Sequence, residues 1–252
     1  MKGTIVATVL LLLCAWGLLY SCGKDTGSND TAGGPTAGAG GSLARFTIRG
    51  DYLYAVDDQS LQAYNLQDGA RPQKVSSTPL AWGVETIYAF NNYLFLGTQT
   101  GLLIYSLDTL SKPRYLGEAR HARSCDPVVA NDSVAFVTLK GSARCGPAES
   151  GLYVHDIKNI DRPVLKKTLP LPDPVGLGLQ DTVLYVCCGT EGLKLFNVKA
   201  PFAPVLIGSK TDGNYMDVIP YHGLLICFVQ DGILLYDISN PAAPQPLKKI
   251  AG

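Results

Sequence analysis

From Leu43 to the C-terminus, short apolar runs alternate with polar, Gly- and Pro-containing breaks in one recurring order. An aromatic or imidazole ring closes an apolar run, a polar or small residue commonly follows, and a proline stands eight positions after the ring. The rings are Tyr64, Tyr105, His155, Phe196 and Tyr236; the prolines are Pro72, Pro113, Pro163, Pro204 and Pro244. Successive rings lie 41, 50, 41 and 40 residues apart, and a period of this length marks a propeller or solenoid array. In the second unit the pattern predicts four strands, A to D, over Glu85–Phe90, Tyr93–Gly97, Leu102–Leu107 and Pro113–Glu118. Asn91-Asn92 suits a tight A–B turn because Asn tolerates positive φ, and Gln99-Thr100-Gly101 makes the B–C turn. Leu102, Leu103 and Ile104 are apolar on consecutive positions, as a strand packed on both faces requires. The proline opens the outermost strand, where a missing N–H costs least.

No segment carries a helical period, which excludes a helical repeat. The expected fold is therefore all-β: a five-bladed β-propeller of four-stranded antiparallel blades, residues 43–252. The array starts with a strand A and ends with a strand D, so no blade draws strands from both termini. Closure then rests on packing of blade one against blade five, or on a larger ring completed by a second chain.

Ahead of the array the pattern is different. Lys2 is the only charge before an apolar run from Ile5 to Leu19, which fits a secretory signal better than a membrane span of ~20 apolar residues. The run ends in Leu19-Tyr20-Ser21-Cys22, which resembles the lipobox of bacterial lipoprotein signals. The resemblance implies cleavage after residue 21 and diacylglycerol on Cys22; the alternative is a signal cut elsewhere, with Cys22 an incidental thiol. Gly23 follows the cysteine, not the Asp that resembles an inner-membrane retention signal, so outer-membrane placement is expected. Residues 22–42 contain no large apolar side chain. They read as a lipidated Cys and a flexible tether spanning roughly 25 Å as a random coil.

The last unit, Gly232-Ile233-Leu234-Leu235-Tyr236-Asp237-Ile238-Ser239-Asn240-Pro241-Ala242-Ala243-Pro244, resembles the LVIVD repeat of bacterial and archaeal surface proteins. Gly151–Pro163 keeps the Gly, Asp156 and Pro163, whereas Ser60–Pro72 has Ser for Gly and Asn65 for Asp. The resemblance implies a β-propeller and no catalytic residues.

Composition narrows the function classes. Hydrophobic residues make up 46% and charged residues 17%, and after signal removal 20 cations face 21 anions, a net of −1. A neutral surface argues against non-specific nucleic-acid binding. Export permits disulfides. Cys125 falls at the D–A connection of the third unit and Cys145 in its B–C turn, which carries the insertion Lys140–Ser150. Both positions lie on one rim, so they are expected to pair, against the alternative of two free thiols; a loop of this size gains ~3 kcal/mol. Cys187 and Cys227 read as equivalent strand-B positions in neighbouring blades, buried as small apolar residues. Cys188 points to the opposite face, with a vicinal disulfide or a metal site the less favoured options.

No nucleophile elbow, zinc-protease helix, phosphate loop or zinc-spaced Cys pair is present, and no cofactor or metal is expected. Propellers commonly bind ligands at the rim carrying the D–A connections. Aligning the units places Arg45, Trp82, Glu85, Arg120, His121, Arg123, Asp126, Arg144, Asp173, Tyr215 and Asp217 at or near that rim. This set favours a monomeric, non-catalytic binding or scaffold module at the cell envelope, held to the membrane by its N-terminal lipid and engaging a protein or glycan polymer. The alternative is a carbohydrate-active enzyme using Glu85, Asp126 and Asp217, which needs carboxylates converging to roughly 5–9.5 Å. His155 stands in for a strand-C ring, and His222 occupies the fifth A–B turn.

Overall fold

Each repeat folds into one antiparallel sheet whose four strands keep chain order. The computed structural model describes residues 41–80, 83–121, 127–141, 146 and 149–252, all within the unit Pro35–Gly252. Blade 1 comprises β1 (Phe46–Arg49), β2 (Tyr52–Val56), β3 (Ser60–Asn65) and β4 (Gln73–Pro79). Blade 2 comprises β5 (Val84–Phe90), β6 (Tyr93–Thr98), β7 (Gly101–Ser106) and β8 (Arg114–Arg120). Blade 3 comprises β9 (Val128–Ala130), β10 (Val134–Leu139), β11 (Gly151–Asp156) and β12 (Val164–Pro170). Blade 4 comprises β13 (Leu177–Gln180), β14 (Val183–Cys187), β15 (Leu193–Asn197) and β16 (Val205–Lys210). Blade 5 comprises β17 (Tyr215–Tyr221), β18 (Leu224–Val229), β19 (Gly232–Asp237) and β20 (Gln245–Ala251). The protein is a five-bladed β-propeller.

The ring-to-proline offset has a structural cause. In every blade the pairing of strands C and D shifts register immediately before the ring: at Ala63/Tyr64, Ile104/Tyr105, Val154/His155, Leu195/Phe196 and Leu235/Tyr236. Each shift is a bulge in strand D, which increases local twist. The residue after the ring then caps the C–D turn. Asn65, Ser106, Asp156, Asn197 and Asp237 each accept, through the side chain, the backbone N–H two positions on, at 2.7–3.1 Å. Ser, Asn and Asp favour such local bonds over continuing a strand. The next apolar residue (Leu66, Leu107, Ile157, Val198 or Ile238) donates its N–H to a carbonyl in the same blade's A–B turn. The proline follows, one residue before strand D. Turn, bulge and proline thus form one device used five times.

The core is divided between blades. Separate buried clusters join blades 1 and 2, 2 and 3, 3 and 4, and 4 and 5. The central residue of strand B projects into the following blade: Tyr54, Phe95, Phe136 and Tyr185 are all fully buried. Tyr54 and Tyr185 also donate their hydroxyls to carbonyls of the next blade's C–D turn, at 2.7 Å each. Blade 5 has Ile226 at this position, and it is only partly buried. Among the described residues no buried cluster spans blades 5 and 1, and Phe46 (61% exposed) and Phe228 (38%) sit on the strands bordering that seam.

Closure comes instead from the segment leading into β1. The sequence assigns Gly41 and Ser42 to the tether, yet Ser42 is 1% exposed. Its hydroxyl donates to Asp217 of β17 at 3.0 Å and accepts the backbone N–H of Leu177 of β13 at 2.8 Å. The Leu43 N–H reaches the other Asp217 oxygen at 3.4 Å. On the far side, the Ala44 carbonyl accepts the N–H of Ile87 in β5. Residues 42–44 therefore run from blades 4 and 5 across to blade 2. Only glycine fits at 41, since an added Cβ would lie 2.1 Å from an Asp217 oxygen.

Cys187 and Cys227 are not equivalent. The B–C turn of blade 4 has one residue more than that of blade 5, so Leu184 pairs with Phe196 while Leu225 pairs with Tyr236. The slip turns Cys187 forward and Cys227 backward, into the same core between blades 4 and 5. Cys188 lies in the core between blades 3 and 4. All three are free thiols. Burial pushes the Cys188 and Cys227 thiols up to about 12, and Cys187 is raised too. Cys125 and Cys145 lie outside the described residues, as does Cys22.

Two predictions follow from these contacts. Ser42→Ala leaves the buried Leu177 N–H without its partner, at about 1–3 kcal/mol, and removes one of the two donors to a buried Asp217 oxygen, which keeps the Val218 N–H. Thermal melting should fall by roughly 5–15 °C, and a change within 2 °C or so would place closure elsewhere. The thiols at 187, 188 and 227 should ignore a thiol reagent at pH 8 until the protein unfolds. Because the folded protein holds these protons longer than the unfolded chain, stability should fall as pH rises from about 9 toward 12.

Candidate functional site at the channel mouth

Five inner strands, β1, β5, β9, β13 and β17, surround the propeller axis. At the D–A end, residues 42–44 cross that axis. At the A–B end it opens as a cavity of about 300 Å³ to which all five inner strands contribute. The wall is mostly apolar, including Ile87, Leu177, Val218 and Ile219. Arg49, Thr47, Tyr88 and Asn91 supply polar groups, and Arg49 is the one formally charged side chain among the described lining residues.

Thr47 is only 6% exposed, whereas Tyr88 is partly buried. Its ring packs against the core between blades 2 and 3 and against the core between blades 3 and 4. Burial raises its phenol to about 12, so it stays a hydrogen-bond donor across the physiological range. Among the described residues it has no charged neighbour that shifts it further. Asn91 holds the mouth's edge: it adopts a left-handed conformation (φ 49°) in the A–B turn and donates to Asp132 of the next blade at 2.6 Å.

The rim predicted from sequence is occupied by its own contacts. Arg45 pairs with Asp58 at 2.7 Å, Arg120 with Glu118 at 2.6 Å, and Asp173 with Lys140. Glu85 accepts from Gln99 at 3.1 Å. Tyr215 is buried, with its hydroxyl and that of Tyr236 2.6 Å apart and both donating to Asp212. Burial opposes ionisation of Asp212, but those two hydroxyls hold it below the usual carboxylate range. Asp217 serves the closing segment; burial raises its carboxyl, and the bonds from Val218, Ser42 and Leu43 only partly offset this. His121 lies beside His155 between blades 2 and 3, and their mutual repulsion adds to burial in lowering His155. Trp82, Arg123, Asp126 and Arg144 lie outside the described residues.

The described rim residues do not converge on one cavity, and neither Glu85 nor Asp217 lines the open mouth. Among the described residues no three His, Cys, Asp or Glu side chains group as metal ligands. The mouth residues lie on the inner strands and not on the rim loops that align between units. The signal was present in the inner strands, where Thr47, Arg49 and Tyr88 interrupt apolar runs.

No family model matches the sequence, and no curated protein matches it. Solved structures do. A protein from Lactobacillus plantarum superposes with a TM-score of 0.61 at 10% identity, over 80% of this chain and 68% of that one. A functionally unknown protein from Desulfotomaculum acetoxidans gives 0.61 at 11%, over 80% and 66%. The periplasmic gluconolactonase of Pseudomonas aeruginosa gives 0.61 at 14%, over 80% and 68%. The shared feature is the β-propeller. The matched part spans about two-thirds of each of those chains, and identities this low speak to the fold alone.

His155 occupies the ring position in blade 3, where other blades carry Tyr or Phe. It is 3% exposed, and burial followed by His121 pulls it down from 6.5 to about 4. The unfolded chain therefore takes up a proton that the folded one refuses between those values, and stability should drop as pH falls through that window, by about 3 kcal/mol. His155→Phe should flatten this acid-side loss in melts recorded from pH 7 to pH 4. An unchanged profile would assign the loss to other groups.

Proposed function

We propose that the chain is an envelope lipoprotein, anchored through Cys22, whose propeller is a non-catalytic binding module with its site at the A–B mouth of the axial channel. One observation carries this reading: residues 42–44 cross the axis at the D–A end, while the opposite end opens into a cavity shared by all five inner strands. Concave, largely apolar cavities with a few placed polar groups are the usual form of ligand sites. The described chain enters the propeller at Gly41, beside Asp217 at the D–A end and away from the mouth. The Gly232–Pro244 motif supports placement among LVIVD-repeat proteins.

Two experiments test it. Labelled palmitate should be incorporated by the wild-type protein in cells and not by Cys22→Ser; equal labelling would remove the anchor. In glycan-array and envelope capture assays, Leu179→Trp at the mouth should lose the ligand while Arg120→Glu at the rim keeps it, with thermal melts to show that both fold. The reverse result would return the site to the rim.

A further inference from the structure

We propose that the outer wall of blades 3 and 4 docks on an anionic lipid surface, with apolar side chains of β12 and β16 entering the headgroup layer between lysines that meet the phosphates. This reading is separate from the channel mouth and needs neither a ligand there nor the Cys22 anchor.

The wall is built from the C–D turns and the outermost strands, and it collects the chain's cations. Residues 65–79, 106–120, 156–170, 197–210 and 237–251 together hold 13 Lys and Arg against 6 Asp and Glu, although the whole chain is neutral. In blades 1 and 2 carboxylates hold Arg71, Arg114 and Arg120, and in blade 5 Asp231 holds Lys249. Blades 3 and 4 differ. Lys158, Arg162, Lys166, Lys167 and Lys199 are all exposed, and none of them forms an ion pair among the described residues.

The same two strands leave apolar side chains in solvent. Val164 and Leu165 follow Pro163 at the start of β12, and Val205 and Leu206 follow Pro204 at the start of β16. These four are 48–59% exposed, and Ile207 is exposed beside them. They occupy equivalent places on neighbouring blades. In blade 2 the wall is covered at this level, since a Cβ added at Gly117 would meet the blade-3 turn at Asp161; at Gly208, the equivalent place in blade 4, it would meet nothing. Lysine on an outer strand discourages edge-to-edge pairing, which accounts for Lys166 and Lys167 alone. The five apolar neighbours work against that protection, so their exposure points to a partner that covers them.

Shape and charge choose the partner. The outer wall of a ring is convex, and apolar tips set between unpaired cations suit a fluid, negatively charged layer that moulds to them. An open strand edge cannot enter hydrocarbon, because its N–H and C=O groups would lose water. Contact therefore stays in the headgroup region, and docking through the wall leaves both ends of the channel uncovered.

The test places the full chain on phosphatidylcholine vesicles with and without phosphatidylglycerol, read by flotation and by hydrogen–deuterium exchange. Partitioning should rise at least about tenfold with phosphatidylglycerol and fall back in high salt. Backbone exchange at 164–167 and 205–207 should slow on the anionic vesicles alone. Lys166→Glu with Lys167→Glu should weaken anionic partitioning by roughly 25-fold, and Leu165→Ser with Leu206→Ser by about tenfold, both with unchanged melting temperatures. Lys74→Glu on blade 1 should leave the protection of β12 and β16 intact. Equal partitioning on both vesicles, or protection confined to other strands, would overturn the docking wall. Capture of a polyglutamate peptide through Lys166 and Lys167, with no response to either vesicle, would overturn the lipid in favour of an acidic protein.

Discussion

A single hydroxyl, on Ser42, bonds to two blades at once, and the accessibility of the channel follows from it. A propeller whose blades each come from one continuous stretch of chain has no shared sheet to lock its ends together. Four of the five seams are held by buried apolar clusters. The fifth relies on hydrogen bonds that Ser42 and its neighbours make with β13, β17 and β5. Those bonds lie at low dielectric, where making them contributes modestly and breaking them leaves costly orphans. The same segment obstructs the axis at one end, which is why the open end is the other.

Much of the fold was legible because it is repeated. The ring, the polar residue after it and the proline recur at fixed offsets, and each has a local job that depends on few distant contacts: the ring faces the preceding blade, the polar side chain caps a turn, and the proline opens the outer strand. The strand-D bulge was hidden, since an extra residue in one strand looks like any other strand residue until its partner is known. The slip that brings Cys187 and Cys227 into one core was hidden for a similar reason. Their 40-residue spacing matches the ring spacing, but one added residue in the blade-4 turn changes which face each one takes.

The site was less legible than the frame. Ser42 lies in a stretch of Gly, Ala, Ser and Thr whose composition says tether, and nothing in a small polar residue announces two partners more than 130 positions away. Asp217 read as an exposed rim acid because its strand position is right and its burial depends on that distant segment. Arg49 and Tyr88 stand in inner strands, where a polar residue can face the axis or a neighbour, and strand alternation alone does not decide between them.

Ser42 also sets how the molecule bears load. A pull from the N-terminal side reaches Gly41–Leu43 before any strand, and a few hydrogen bonds must resist it in place of a sheet. The seam they close has no buried apolar cluster behind it, so the first event under tension would be release of this segment and unblocking of the sealed end of the channel, with the five blades still paired within themselves. The propeller's mechanical fuse and its axial stopper thus share Ser42 and Leu43.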